Sequence, residues 1–283
     1  MSWLLRRAVE VRGLLDAHQQ DRQLWERLGV GDGELARWEQ VARRLRVPFH
    51  DGVLSQFEGW ERLEELDWDA YRRRYGNIGR LDLILKAEGD TTNRYKLAKQ
   101  ADVLMLFYLL SADELEGLLD HLGYRLDRTM IPATVDYYLA RTAHGSTLSR
   151  LVHAWVLARA DRPRSWRLFR ESLAADLDDT QGGTTREGIH LGAMGGSVDL
   201  PQRCYSGLEV RRDTLWLDPR LPDELRSLAF DVAYRGHSLA VTITHDRLSV
   251  TARPCAAHPI RASLAGRVAE IAPGQTVQVA LAR

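Results

Sequence analysis

The hydrophobic repeat changes period once along this chain, near residue 208, and that change restricts the fold more than any other feature of the sequence. Up to there, apolar residues recur every three to four positions. Trp3, Leu4, Ala8, Val11 and Leu15 form one stripe, and Leu35, Trp38, Val41, Ala42 and Leu45 another, before Pro48 ends the first block. Beyond residue 208 the repeat is two: Leu228, Phe230, Val232 and Tyr234 alternate, Arg235–Ser238 turns, and Leu239, Val241 and Ile243 return. Leu248 and Val250 follow, and Pro273-Gly274 punctuates the last pair. The expected fold is therefore mainly α over residues 1–207, with a small all-β, antiparallel domain over 208–283.

Within the helical part, further stripes are expected from Trp68 to Leu122, the most regular being Leu97, Gln100, Ala101, Leu104 and Tyr108. Ser111-Ala-Asp-Glu114 is a capping box and starts a helix that runs to Gly123. Thr129 to Arg141 carries Pro132 in its first turn, and Pro163 interrupts the pattern before it restarts at Trp166. About ten helices are expected in all. Residues 47–67 lose the helical period and set aromatics beside carboxylates. Such a loop serves either to face a sugar or to pack its rings on the helices beneath.

The stretch Arg141-Thr-Ala-His-Gly-Ser-Thr-Leu-Ser-Arg150 holds the richest chemistry. Leu148, Leu151, Val152 and Trp155 mark the helix it opens, with Ser146 or Thr147 as N-cap. Gly145 lets the backbone approach a ligand, and the free N–H groups of the first turn carry the positive end of the helix dipole. Those are the parts of an anion site, with His144 at its rim as a switchable cation or proton donor. The same pattern also suits an ordinary capped helix with a surface histidine. Residues 180–205 contain six glycines, which would weaken a helix by roughly 1 kcal/mol each. Their use is either close approach of a ligand or tight packing against a neighbouring helix.

Composition limits the partners. In 283 residues, 39 basic side chains balance 39 acidic ones, so no net field attracts nucleic acid or an anionic membrane. Cys204 and Cys255 fit no metal spacing, no metal site or cofactor is expected, and so few cysteines point to a reducing, cytoplasmic setting. No segment reads as a membrane span or a secretory signal.

Several separated motifs resemble glycoside hydrolase family 65, which holds maltose, trehalose, kojibiose and nigerose phosphorylases and some α-glucoside hydrolases. They are Gln56-Phe-Glu-Gly59, Lys99-Gln-Ala-Asp102, His144-Gly-Ser-Thr-Leu-Ser149, Gly182-Gly-Thr-Thr-Arg-Glu-Gly-Ile-His-Leu-Gly-Ala-Met-Gly-Gly196 and Leu217-Asp-Pro-Arg-Leu-Pro222. The resemblance implies that residues 1–207 are the C-terminal portion of an (α/α)6 barrel and that 208–283 form an antiparallel β-sandwich. It further implies that Lys99 and Gln100 contact a glucosyl unit, while His144, Gly145, Ser146 and Thr147 hold inorganic phosphate as co-substrate. Inverting cleavage of an α-glucoside needs an acid on the leaving oxygen and a nucleophile on the opposite face. A hydrolase activates water there with a carboxylate, whereas a phosphorylase needs an anion cradle, which this helix start offers. Phosphorolysis of a glucose-containing disaccharide is accordingly the expected activity, ahead of hydrolysis or a non-catalytic sugar-binding remnant.

The family's general acid lies in a Gly-Pro-Asp-Glu-aromatic-His motif, and no such run occurs here. The chain is thus expected to be the C-terminal part of a longer enzyme, inactive alone, whose partner is its N-terminal part or a second copy. Glu58 and Glu187 are the carboxylates to consider should the acid lie within this chain.

Overall fold

The computed structural model of the chain describes residues 1–15 and 19–281. Its α-helices are α1 (Ser2–Leu15), α2 (Gln19–Leu28), α3 (Asp32–Arg44), α4 (Trp68–Tyr75), α5 (Leu81–Ala87), α6 (Met105–Leu109), α7 (Ala112–His121), α8 (Met130–Ala140), α9 (Thr147–Leu157), α10 (Arg162–Leu173) and α11 (Leu191–Asp199). The strands are β1 (Phe49–His50), β2 (Val53–Leu54), β3 (Glu209–Arg211), β4 (Thr214–Leu217), β5 (Ser227–Tyr234), β6 (His237–Thr244), β7 (Arg247–Ala252), β8 (Ile260–Leu264), β9 (Arg267–Ile271) and β10 (Thr276–Ala280). Two compact units emerge, and each interleaves segments from several parts of the chain.

The first unit comprises Met1–Glu65, Asn93–Lys96 and Asp102–Arg141. Here α1 packs on α3, where Ala42 is fully buried and the Ser2 hydroxyl donates to its carbonyl at 3.1 Å. Apolar side chains on α1 and α2 stay open: Leu4 is 61% exposed and Leu14 71% on α1, and Leu28 60% on α2. The β1–β2 hairpin is tied to α8, whose Thr134 hydroxyl accepts from the Leu54 amide and whose Tyr138 hydroxyl donates to the Leu54 carbonyl. Trp60 is buried against Tyr138, with its indole N–H donating to Tyr137 at 2.8 Å, so residue 60 of the 47–67 loop packs rather than faces a ligand. Phe57, edge-on to Trp60, remains exposed. The capping box forms as expected: the Ser111 hydroxyl accepts the Glu114 N–H, and Glu114 accepts the Ser111 N–H.

The second unit comprises Leu66–Thr92, Leu97–Ala101 and Thr142–Arg283. Helix α9 is its helical centre, with Leu151, Val152, His153 and Ala154 all at or below 1% exposure. Helix α10 begins with Asp161 as N-cap and Pro163 in its first turn, where proline's missing N–H costs no helical bond. Pro163 therefore opens a helix instead of merely ending one. Helix α11 packs on α9 through glycine: a Cβ at Gly196 would lie 1.9 Å from Leu151 Cδ2, and one at Gly192 would lie 3.2 Å from Leu148 Cδ1. For these two glycines the reason is helix packing. Gly182, Gly183 and Gly188 instead have positive φ, in turns that only glycine enters without strain.

The regular stripe expected over residues 97–108 is mostly not helical. Residues 97–101 run extended and bent, with Ala98 bridged to Thr142 in parallel, and only Met105–Leu109 forms a helix. The pairing consumes backbone groups that a helix would need, since the Ala143 N–H donates to the Ala98 carbonyl at 2.9 Å.

After Ser206 two four-stranded sheets follow, ordered β10-β7-β6-β5 and β3-β4-β8-β9. The first is wholly antiparallel, while in the second β4 pairs β8 in parallel, from Thr214↔Arg261 to Leu217↔Leu264. The purely antiparallel expectation is corrected by that one pair. Alternate positions Leu239, Val241 and Ile243 are buried to 1% or less, as are Leu215, Leu217, Ala262 and Leu264.

Candidate functional site

The site grows from the start of α9. Ser146 stands at the N-cap position in extended conformation, and its side chain makes no capping bond. The first turn tightens instead through the Ser149 N–H, which donates to the Ser146 carbonyl at 3.1 Å. The Ser146 hydroxyl is thus left uncommitted by the helix, beside first-turn N–H groups that favour an anion. Thr147 is buried.

Gly145 sits where three segments meet. A Cβ there would lie 2.6 Å from the Gly79 carbonyl oxygen and 2.9 Å from Lys99 Cγ. Its N–H donates to the Lys99 carbonyl at 2.7 Å. The residue type required is glycine because no room exists for a side chain.

His144 has φ +55°, in the left-handed region, and its carbonyl accepts from the buried Gln181 amide at 3.2 Å. Its Nδ1 lies 3.0 Å from the Ser149 hydroxyl. Its ring meets that of the fully buried His153, with centroids 4.7 Å apart. Burial pushes His144 down to about 3, helped by His153 and by the guanidinium groups of Arg150, Arg164 and Arg72. Burial also takes His153 down to about 4, against the hydrogen bond to the Ser149 carbonyl, which raises it. At neutral pH both rings are uncharged. Of the two roles expected for His144, switchable cation or proton donor, burial disfavours the cation.

A cavity of about 520 Å³ opens here. Its wall includes His144, Asn77, Gly79, Arg72, Arg150 and Glu171. Arg150 donates to Glu171 at 3.1 Å and Arg72 to Asp69 at 3.3 Å, so the cations arrive paired. The wall residues Arg72, Arg150 and Asn77 were missed by motif reasoning. Arg150 was legible, standing three residues after Thr147 and hence on the same side of the helix start. Arg72 and Asn77 lie in α4 and the turn after it, with no marker beyond the glycines of Gly76-Asn-Ile-Gly79.

The other named residues take varied places. Lys99 and Gln100 lie on an exposed bend, not on a helix, and are not part of the cavity wall. Lys99 is joined to the site through its backbone, while its Nζ lies 3.4 Å from Asp82. The glycine-rich segment is held by carboxylates: Asp176 accepts from the His190 ring at 2.5 Å and from its amide at 2.9 Å, and Asp179 caps Gly183 at 2.7 Å. The stretch meets the site through Thr180, on the cavity wall, and through Gln181. Glu187 is exposed in the Thr184–Glu187 turn and off the cavity wall. Glu58, in the first unit, is exposed and paired with Arg46 at 3.1 Å. Cys204 is buried, its thiol pushed up to about 12 by that burial, and Cys255 is exposed. Among the described residues no cluster of three or more His, Cys, Asp or Glu is arranged to hold a metal, and no helix is long and apolar enough to cross a membrane.

The central catalytic domain of glycosyl hydrolase family 65 matches residues 1–199, and the family's C-terminal domain matches residues 208–271. An uncharacterized glycosyl hydrolase of Mycobacterium tuberculosis is 55% identical over 99% of this chain, which spans 21% of that protein. Trehalose 6-phosphate phosphorylase of Lactococcus lactis is 36% identical over 77% of the chain and 29% of the relative. Kojibiose phosphorylase of Halothermothrix orenii is 27% identical over 89% of the chain and 30% of the relative. The chain thus spans less than a third of the length of each of these proteins. A solved structure of a candidate kojibiose phosphorylase from the human microbiome superposes with TM-score 0.75 at 18% identity, over 99% of this chain and 35% of that one, which is a likeness of fold. By the match of its helical and β segments alike, the chain belongs to glycosyl hydrolase family 65.

Proposed function

We infer that this chain carries the phosphate-binding part of an inverting α-glucoside phosphorylase. The observation that carries the reading is the start of α9. There an N-cap serine makes no capping bond, a glycine admits no side chain, and a neutral histidine lines a cavity walled by Arg72 and Arg150. Phosphate needs donors and nearby positive charge rather than a base. The first-turn N–H groups, the Ser146 and Thr147 hydroxyls and the His144 ring supply the donors, and the arginines supply the attraction. A hydrolase of this family would want an unpaired carboxylate base at residue 144. The wall carries two carboxylates, Glu171 and Asp178, and Glu171 is already bonded to Arg150.

In this reading Lys99 and Gln100 face the glucosyl unit, the helices contribute to an (α/α)6 barrel, and the two sheets form a sandwich beside it. The partners are a glucose-containing disaccharide and inorganic phosphate. Phosphorylases among the relatives support that substrate class. Phosphate attacks the anomeric carbon from the face opposite the leaving sugar, so the product is the inverted sugar 1-phosphate. No residue of this chain is assigned as the general acid, whose contribution is typically about 10²–10⁴-fold.

The test is phosphate-dependent cleavage of maltose, trehalose and kojibiose. The chain alone is expected to release no glucose 1-phosphate, whereas joining it to the acid-bearing segment of a longer relative restores release. His144→Ala in that joined protein is expected to remove the dependence on phosphate more than sugar binding. Turnover that proceeds equally without phosphate would overturn the reading in favour of hydrolysis.

A further inference from the structure

His153 is not on the cavity wall, yet it is fully buried behind His144. A buried imidazole costs free energy unless both ring nitrogens are satisfied. Only one is. Nδ1 lies 2.7 Å from the Ser149 carbonyl, and because a carbonyl only accepts, that nitrogen carries the hydrogen. The lone pair of the neutral ring is then on Nε2, which is buried without a partner. An apolar side chain of similar size would avoid this cost, so the ring's use lies in what it touches.

It touches His144, with centroids 4.7 Å apart and planes at 68°. Ser149 joins the pair a second way. Its carbonyl holds His153, and its hydroxyl lies 3.0 Å from Nδ1 of His144. With that hydroxyl donating to Nδ1, the hydrogen of neutral His144 sits on Nε2, the nitrogen left for a ligand. His144 is also held at φ +55°, a conformation that persists where its surroundings over-determine it.

We propose that His153 is a positioning residue for His144: through Ser149 and the ring contact it fixes the His144 ring as a neutral Nε2–H donor to the phosphate that enters the cavity. The inference rests on the phosphate reading above. Its chemical sense is that the bound phosphate is the nucleophile, and a neutral donor orients one oxygen without protonating it. Positive charge comes instead from the groups around the ring, namely Arg150 on α9 itself, Arg164 on α10 and Arg72 on α4. Glu171 of α10 and Asp178, which follows that helix, face the same cavity and moderate those charges.

The experiment is proton–nitrogen correlation NMR of the imidazoles of the full chain, combined with calorimetric titration of inorganic phosphate. In the wild-type chain His144 is expected as the Nε2–H tautomer and His153 as the Nδ1–H tautomer, neither titrating between pH 5 and pH 8. His153→Leu is expected to mix the His144 tautomers and to weaken phosphate binding about tenfold. His153→Asn, whose amide N–H can reach the Ser149 carbonyl, is expected to restore most of that loss. A wild-type His144 that titrates between pH 6 and pH 7, or carries its hydrogen on Nδ1, overturns the inference, and this measurement decides even where His153→Leu does not fold. If His144→Ala weakens phosphate binding and a folded His153→Leu does not, the inference falls and the phosphate reading stands. If the wild-type chain binds no phosphate, both fall.

Discussion

Gly145 and Ser146 are neighbours whose substitution separates stability from ligand binding. A methyl group at residue 145 has nowhere to go, because the Gly79 carbonyl and Lys99 Cγ already occupy its space. Gly145→Ala is expected to lower unfolding free energy by about 1–3 kcal/mol, measured by urea denaturation. An unchanged midpoint would mean that the three segments are not held together as described. Ser146 is the reverse case. Its hydroxyl does not cap α9, so Ser146→Ala is expected to change stability by less than about 0.5 kcal/mol while weakening phosphate binding several-fold. Both residues were singled out in the sequence as parts of an expected anion site. The neutrality of His144 was not, because it comes from burial and from His153, Arg164 and Arg72, which only the folded chain brings near.

Elements were legible where their signals are local. The Ser111–Glu114 box, the prolines of α8 and α10 and the alternation of β5 and β6 each specify backbone geometry within a few residues. Ser111→Ala is accordingly expected to cost about 1 kcal/mol through the lost N-cap, and a loss indistinguishable from that of Ser146→Ala would contradict the difference between the two caps. Residues 97–101 misled for the opposite reason. Their apolar spacing fits a helix, but the bridge from Ala98 to Thr142 and the bond from Gly145 to Lys99 pair them with a distant segment. Periodicity cannot report a competing partner over 40 residues away. The parallel β4–β8 pair escaped notice likewise, since alternation says nothing of strand direction.

At the scale of the whole chain, charge balance gives no help to anion binding, so the proposed phosphate site relies on the local donors and arginines around His144. Buried neutral histidines also set a pH limit on stability. The folded values of His144 and His153 lie near 3 and 4, below the ordinary 6.5. As pH falls through 6.5 the unfolded chain takes up protons that the folded chain refuses. Their contribution is therefore fully present above about pH 6.5 and lost progressively toward pH 3, and His144→Gln is expected to flatten that limb of a urea-midpoint profile. An identical slope in wild type and variant would show that His144 is not buried neutral. Along α1 and α2 the exposed Leu4, Leu14 and Leu28 predict binding of a hydrophobic dye or self-association by the purified chain; a dye-silent monomer would contradict an open apolar stripe. The most direct measurement is calorimetric titration of the wild-type chain and His144→Ala with inorganic phosphate at neutral pH. The account predicts saturable binding by the wild type, weakened about tenfold in the variant, with both chains folded. No binding at millimolar phosphate, or equal binding by the two chains, would contradict it.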